Sequence, residues 1–398
     1  MKIDSGHLTY CSNIHPGEDW AKHFEILQSS LPVIKEQISP EKPMGVGLRL
    51  ANKASIDLTH EDHFSAFKNW LDENDFYVFT MNGFPYGGFH DVVVKDQVHA
   101  PDWTTTERLD YTLRMFGILV RLLPEDMSSG GISTSPLSYR FWWKTEDELQ
   151  QAIRKATENM VAVAEELNDI KIRTGKTLHL DIEPEPDGIL ENSFEFISWY
   201  NDWLLPVGIE IMALKGISAE IAEKILRTHI QLCYDVCHFA VGYEEPETVI
   251  RKFESENIKI GKIQISSALK VDLTSDAAEK VKALAGFDEP SYLHQVVARK
   301  SDGKFESYKD LNEAIADFEE NKHEEWRVHF HVPLFIENYG SLASTQSEII
   351  KTLTVQRNTP FTEHMEVETY TWGVLPSEVQ APLNDSIVRE MQFVKQLL

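Results

Sequence analysis

Cysteine is nearly missing from this 398-residue chain. Only Cys11, Cys233 and Cys237 occur. At this density a disulfide scaffold is implausible, and with no CxxC pair there is no zinc-ribbon spacing. Cys233 and Cys237 lie on either side of Asp235 in an apolar segment and read as small buried hydrophobes. Positive charge is scarce too: 38 Lys and Arg stand against 64 Asp and Glu, a net charge of −26. Phosphate binding needs Lys/Arg-rich surface, so nucleic acid and anionic membranes are poor partners for this chain. No apolar run approaches the ~18–20 residues that span a bilayer. The opening MKIDSGHLTY lacks the long apolar core of a signal peptide. The expectation is a soluble, cytoplasmic protein. Also absent are GxGxxG, Walker A, GxSxG and HExxH, which removes dinucleotide, P-loop, serine-hydrolase and zincin readings that depend on them. There is no fixed-period repeat and no low-complexity tract.

What is present is an alternation. Strand patterns occupy 7–13, 44–50, 76–82, 130–135, 178–183, 230–236, 260–266 and 364–372. Helical periodicity fills the intervals at roughly 19–37, 60–74, 105–123, 147–175, 193–204, 218–228, 245–256 and 342–356. The clearest helix has Asp147 near its start and Gly175 as a stop signal. Eight strands alternating with helices predict an α/β fold, a (β/α)8 TIM barrel forming one domain over 1–398. One interval breaks the rhythm. Residues 270–340 hold a hairpin arm (292–299), a helix (309–322) and a strand (327–335), and read as an insertion between strands seven and eight, over the barrel mouth. The strand at 327–335 is itself long enough to serve as a barrel strand.

In such barrels the active site gathers at the C-terminal strand ends, so the last residues of each strand are the informative ones. The stretch 178-LHLDIEPEPDG-188 runs an alternating strand into Glu183 and Glu185, each followed by proline. Strand six ends on Asp235 and His238, strand seven on Gln264, and strand eight offers Glu366, Glu368 and Trp372. The 327–335 strand offers His329 and His331. Carboxylates leaving a barrel interior must be paired or must bind a cation. Glu183, Asp235 and Glu368 come from three strands, and none has a Lys or Arg beside it in sequence. Three carboxylates with imidazole or amide oxygen suit a divalent metal: Mn, Mg, Co or Zn. Bland alternatives stand beside each assignment: Asp235 as a buried carboxylate bonded to backbone, His238 as a helix-start or substrate-side histidine, and His329 with His331 as a half-exposed pair. His15, Asn82, Tyr86, His90, Glu185 and Trp372, all at or just past strand ends, are the candidate contacts to a small-molecule metabolite.

The strand-five Glu, the strand-six Asp-x-x-His and the strand-eight Glu resemble the xylose-isomerase-like superfamily of sugar and sugar-phosphate isomerases and epimerases. That resemblance implies Glu183, Asp235 and Glu368 as metal ligands, and Glu183, Glu368 and His238 as the catalytic set. It also exposes a departure: Gln264 stands where the superfamily has its strand-seven histidine. Either Gln264 coordinates through its amide oxygen, His331 substitutes, or the site is weakened. Over nearly the whole chain, HLTYCSNIHPGEDW, MNGFPYGGFH, LDIEPEPDG, YDVCHFAV, YLHQVVAR, VHFHVPLF and EVETYTWGVLP are similar, in this order, to the metabolite traffic protein EboE family. Its members are encoded beside other Ebo proteins, including a prenyltransferase-like membrane protein. The likeness implies a part in processing or moving a metabolite precursor, with membrane-bound partners of the same gene cluster.

Overall fold

A computed structural model describes residues 1–88, 93–373, 375 and 381–398. Eight parallel strands form its ring: β1 (Gly6–Tyr10), β2 (Met44–Arg49), β3 (Phe76–Asn82), β4 (Ser129–Thr134), β5 (Thr177–Ile182), β6 (Ile230–Asp235), β7 (Ile260–Ile265) and β8 (His364–Val367). Their hydrogen-bonded order is β1-β8-β7-β6-β5-β4-β3-β2, with the short strand Lys2–Ile3 folded back on β1. Helices separate the strands and a last helix, Leu383–Leu397, follows β8. This is the expected (β/α)8 barrel. β2, β6 and β7 are buried end to end, as parallel strands covered by helices must be. That double burial made their apolar runs readable.

Ring closure between β1 and β2 uses side chains in place of a ladder. One parallel bridge joins Cys11 to Gly47. Thr9 Oγ1 donates to the Gly45 carbonyl at 2.8 Å and accepts from the Gly47 amide at 2.9 Å. The Arg49 amide donates to Ser12 Oγ at 2.8 Å. Elsewhere local chemistry sets boundaries plainly. The 29-residue helix Glu146–Thr174 starts at a capping box of Thr145 and Glu148 and stops at Gly175, whose φ of +76° suits glycine.

Between β7 and β8 lies a six-stranded antiparallel sheet. Its order is Phe305–Tyr308, Val296–Arg299, Glu325–Val328, Leu269–Asp272, Leu342–Ser344 and Asn338–Tyr339. Three expectations change here. The strand expected over 327–335 is shorter and is no barrel strand: Glu325–Val328 pairs within this sheet, and the chain then carries His329 and His331 to the barrel mouth. The helix expected over 309–322 contracts to Leu311–Ala316. The helix expected from 342 begins at Gln346, because Leu342–Ser344 pairs as a strand.

The barrel axis is polar. His179, Asp181, Lys262, Gln264, His364 and Glu366 are all buried there. Lys262 Nζ pairs with Glu366 and reaches Ser133 Oγ at 3.2 Å. His179 Nδ1 meets Asp181 Oδ1 at 2.6 Å. Missing Cβ atoms make room for these groups: a Cβ on Gly47 would collide with the Glu366 carboxylate, and one on Gly261 with Asp181. No helix among the described residues is long and apolar enough to cross a membrane.

Candidate metal centre

Each acidic side chain reaches the mouth by a local device. Asp235 ends β6 and caps the helix Val236–Val241. Its Oδ1 accepts from the His238 amide at 3.0 Å and from Ser266 Oγ at 2.7 Å. Its Oδ2 is buried and has no hydrogen-bond partner. The structural and the ligating roles of Asp235 thus fall on different oxygens. Glu368, just beyond β8, receives two amides on Oε1, from Asn13 at 2.7 Å and Asn82 at 2.8 Å. Oε2 is thereby aimed rather than left to rotate. Glu183, just beyond β5, is tied through its backbone amide to the Thr134 carbonyl, and its Oε2 lies 3.5 Å from Cys233 Sγ.

These three carboxylates converge: one oxygen of each lies within 4.8 Å of the others. The same separation groups Asp235 with His238 and His331. His331 therefore reaches the centre from the segment between β7 and β8. Register places Gln264 between Asp235 and Glu366, and both its amide atoms are buried without a partner.

No Lys or Arg pairs with Glu183, Asp235 or Glu368 among the described residues. The buried ammonium of Lys262 is held by Glu366, and Lys95, at the cavity edge, is held by Asp310 at 2.7 Å. Glu183 and Glu368, so confined, resist ionisation. Burial pushes the Glu183 carboxyl well up, and the charges of Glu368, Asp235 and Glu185 add to it. Glu368 moves up by burial and by Asp235 and Glu366. Glu185 rises by burial and by Asp235, Asp187 and Glu368. Burial pulls the imidazoles the other way, His238 to about 4 and His99 to about 3. All of these histidines are neutral near pH 7, the form that ligates a metal. Orphaned buried oxygens, neutral imidazoles and mutually repelling carboxylates are what a divalent cation would satisfy, so the residues fit one.

The cavity around this centre is lined by Asn82, Glu183, Glu185, His238, His329, His331 and Glu368 from the sequence's candidates, by Asn13, and by His99, Gln295, Tyr292 and Lys95, which sequence reasoning missed. Three candidate contacts lie outside this lining. His15 follows a 3-10 turn and bonds Tyr10 through Nε2 at 2.9 Å. Tyr86 packs edge-on against Tyr111 under Arg108. Trp372 stacks on Phe335. Their side chains sit in turns after strand pairing has stopped, where period-two alternation no longer aims them. His90 lies outside the described residues. Asn82 lines the cavity, but its amide is committed to Glu368. Replacing Asn82 with Leu is expected to weaken Mn2+ binding roughly 10–100-fold while leaving the fold intact, the usual size of an outer-sphere loss; isothermal titration with Mn2+ measures it.

No family model matches the chain, and no curated protein does. Solved structures do. A D-tagatose 3-epimerase-like protein matches at TM-score 0.49 and 8% identity, covering 98% of this chain and 96% of that one. The IOLI protein with a bound zinc atom matches at 0.48 and 10%, covering 98% and 96%. A xylose isomerase-like TIM barrel protein from Mycobacterium smegmatis, in complex with magnesium, matches at 0.46 and 9%, covering 94% and 88%.

Proposed function

We propose that the protein is a divalent-metal-dependent isomerase or epimerase acting on a small polyol or hydroxycarbonyl metabolite. The observation that carries this reading is the convergence of Glu183, Asp235 and Glu368, three buried carboxylates without a cationic partner among the described residues. Together with His331 or Gln264 they would hold the cation, which when bound supplies Lewis-acid polarisation of adjacent substrate oxygens. The chain's own groups do the rest. Glu183 and Glu368 stand at the ends of β5 and β8, with β6 and β7 between them. They flank the mouth and can serve as base and acid to a substrate carbon lying between them. Burial and like-charged neighbours shift both carboxyls upward, the direction that suits a carboxylic acid to proton transfer. His238 Nδ1–H is engaged by the Pro184 carbonyl at 2.9 Å, leaving Nε2 for substrate or cation. Phe84, Val98 and Leu293 supply apolar wall that excludes water.

The test is proton exchange. Protein loaded with Mn2+ or Mg2+, incubated with a panel of 2-ketoses in D2O, is expected to wash out the C1 or C3 proton of at least one, read by NMR. Tight metal binding with no exchange on any ketose would remove the enzymatic reading. It would favour the second one, a non-catalytic barrel that holds a metabolite for transfer. The orphaned amide of Gln264 at the strand-seven ligand place supports that alternative. A part in metabolite traffic with membrane-bound partners of one gene cluster, and a cytoplasmic location, rest on the seven EboE-like motifs.

A further inference from the structure

The oxygens that would meet a cation are shut off from solvent. Asp235 is 0% exposed, Glu183 3% and Glu368 4%. An ion or a metabolite reaches them only when part of the wall moves. Most of the wall is rooted in strand ends. Two irregular pieces are not: the 3-10 turn Lys95–His99 in the excursion after β3, and the arm 291–295 ahead of the strand Val296–Arg299. They leave the ring at separate points and meet over the mouth, where Lys95, Val98, His99, Tyr292, Leu293 and Gln295 line one cavity with Glu183 and Glu368. What joins them is slight. The Val94 and Lys95 amides donate to one acceptor, the Ser291 carbonyl, at 2.7 and 3.0 Å. Lys95 Nζ donates to Asp310 Oδ2 at 2.7 Å, a pair still partly in solvent. Val94 packs on Tyr292, with Val98 and Tyr370 beside them. On the other flank, Trp142 Nε1–H donates to Asp96 Oδ2 at 2.6 Å.

The roots of the excursion are held far more firmly. The buried guanidinium of Arg108 donates to the Gly83 and Phe84 carbonyls at one end, at 2.7 and 3.0 Å, and to the Pro101 carbonyl at the other, at 2.8 Å. Just past Pro101, the Asp102 carboxylate accepts from the Thr104 amide at 3.0 Å and from Ser138 Oγ. Segments with few buried contacts between firm ends are the ones that open locally. We propose that Val94–His99 is a gate over the metal centre, rooted at Pro101 and latched by Lys95 on Asp310. The inference rests on the metal centre proposed above and adds how it is filled. Asp310 Oδ1 accepts the His294 and Leu311 amides, each at 3.0 Å, which fixes the carboxylate. The lysine is the member that leaves. Swinging the strap away also withdraws His99, whose Nε2 lies 3.1 Å from Glu185 Oε1, from the cavity wall. Lys95 is the one Lys or Arg in the lining among the described residues. It thus serves access rather than ligand binding.

The experiment times Mn2+ traffic on the full chain: loading after rapid mixing, and stripping by excess EDTA, with free and bound Mn2+ distinguished by electron paramagnetic resonance. Lys95→Met is expected to speed loading and stripping together, each roughly fivefold, as loss of a partly solvated charge pair from the closed state requires. Trp142→Phe, which releases the other flank, is expected to do the same, and the double variant to exceed about tenfold. Mn2+ affinity is expected to stay within about twofold of wild type in all three, since a gate changes how fast a site is reached and not how well it binds. Stripping that quickens alone, with affinity lost in proportion, makes Lys95 part of the binding site and overturns the gate. Wild-type rates in both folded variants overturn it too, because the wall then opens elsewhere. Either result leaves the metal centre standing. Trp142→Phe carries the test should Lys95→Met misfold, which a circular-dichroism melt reports. A wild-type chain that takes up no Mn2+ overturns both readings.

Discussion

Glu183→Gln is expected to lose tight cation binding and yet, in chelator, to melt higher than the native chain. The side chain is buried among Glu185, Asp235 and Glu368, and no cation among the described residues pairs with any of those three. Without metal, the ionised form is destabilised by its neighbours, so removing one charge relieves the fold. A gain of about 1–2 kcal/mol is the usual scale where a site trades stability for function. Its sign with pH follows from the direction of the shift. The folded-state carboxyl lies above its unfolded value, so folding is favoured by protonated Glu183. That contribution is fully present below the normal carboxyl range and is lost as pH rises through the raised value. The advantage of glutamine is therefore small at acid pH and grows as pH rises above the ordinary carboxyl range, so the two proteins are compared at pH 5 and pH 8. Calorimetry with EDTA at the two pH values measures it, and titration with Mn2+ measures the affinity. The affinity loss should exceed the roughly 10–100-fold typical of outer-sphere changes. A variant that melts lower than wild type at both pH values would make Glu183 a structural carboxylate and remove the metal centre as its explanation.

Lys262→Met carries the largest expected stability loss. Lys262 and Glu366 are both fully buried on the barrel axis. Burial pulls the ammonium down, but Glu366 overrides it and holds the net shift upward. Removing the lysine strands a carboxylate in the interior, and breaking a buried pair from one side costs about 3–5 kcal/mol. Replacing both partners, Lys262→Met with Glu366→Leu, is expected to recover most of that loss, since an apolar pair of similar volume is often neutral. Urea unfolding of the four proteins in this cycle gives the coupling directly. Cation binding should also weaken in Lys262→Met. Lys262 pulls the Glu183 and Glu368 carboxyls down, so its loss leaves both more firmly protonated at a given pH. If the single variant unfolds within about 1 kcal/mol of wild type, the pair is not an axial counter-charge for the mouth.

The barrel and its acidic tips were readable from the amino-acid sequence for one physical reason. A parallel strand buried on both faces is a continuous apolar run, so a Glu or Asp at its end stands out. Asp235 at the end of IQLCYD is such a case, while Glu183 stands out because two prolines stop the alternating strand LHLDI around it. His99 and Gln295 were not readable, because they lie in irregular segments that reach the mouth only through tertiary packing. Lys262 was not recognised either. It sits in a strand whose other signals are apolar, and its partner Glu366 is about a hundred residues away. His331 was weighed as a substitute for Gln264 and as one of a half-exposed pair, and its approach depends on where the small antiparallel sheet ends. The misplaced candidates His15, Tyr86 and Trp372 share a cause: proximity to a strand end in sequence does not say which way a turn points a ring.

The manner in which the ring is closed has a consequence for how this polypeptide is made. β1 takes its ladder partner from β8, and Asn13 finds Glu368 across 355 residues of chain. At about 5–20 residues per second, a ribosome needs roughly 20–70 s to deliver that partner after the first strand has emerged. Throughout that interval β1 has only the side-chain seam to β2 and the two-residue Lys2–Ile3 hairpin to occupy its edge. An unsatisfied strand edge is where a nascent chain meets its neighbours on a polysome. The opening residues thus wait for nearly the whole chain before their ladder partner exists.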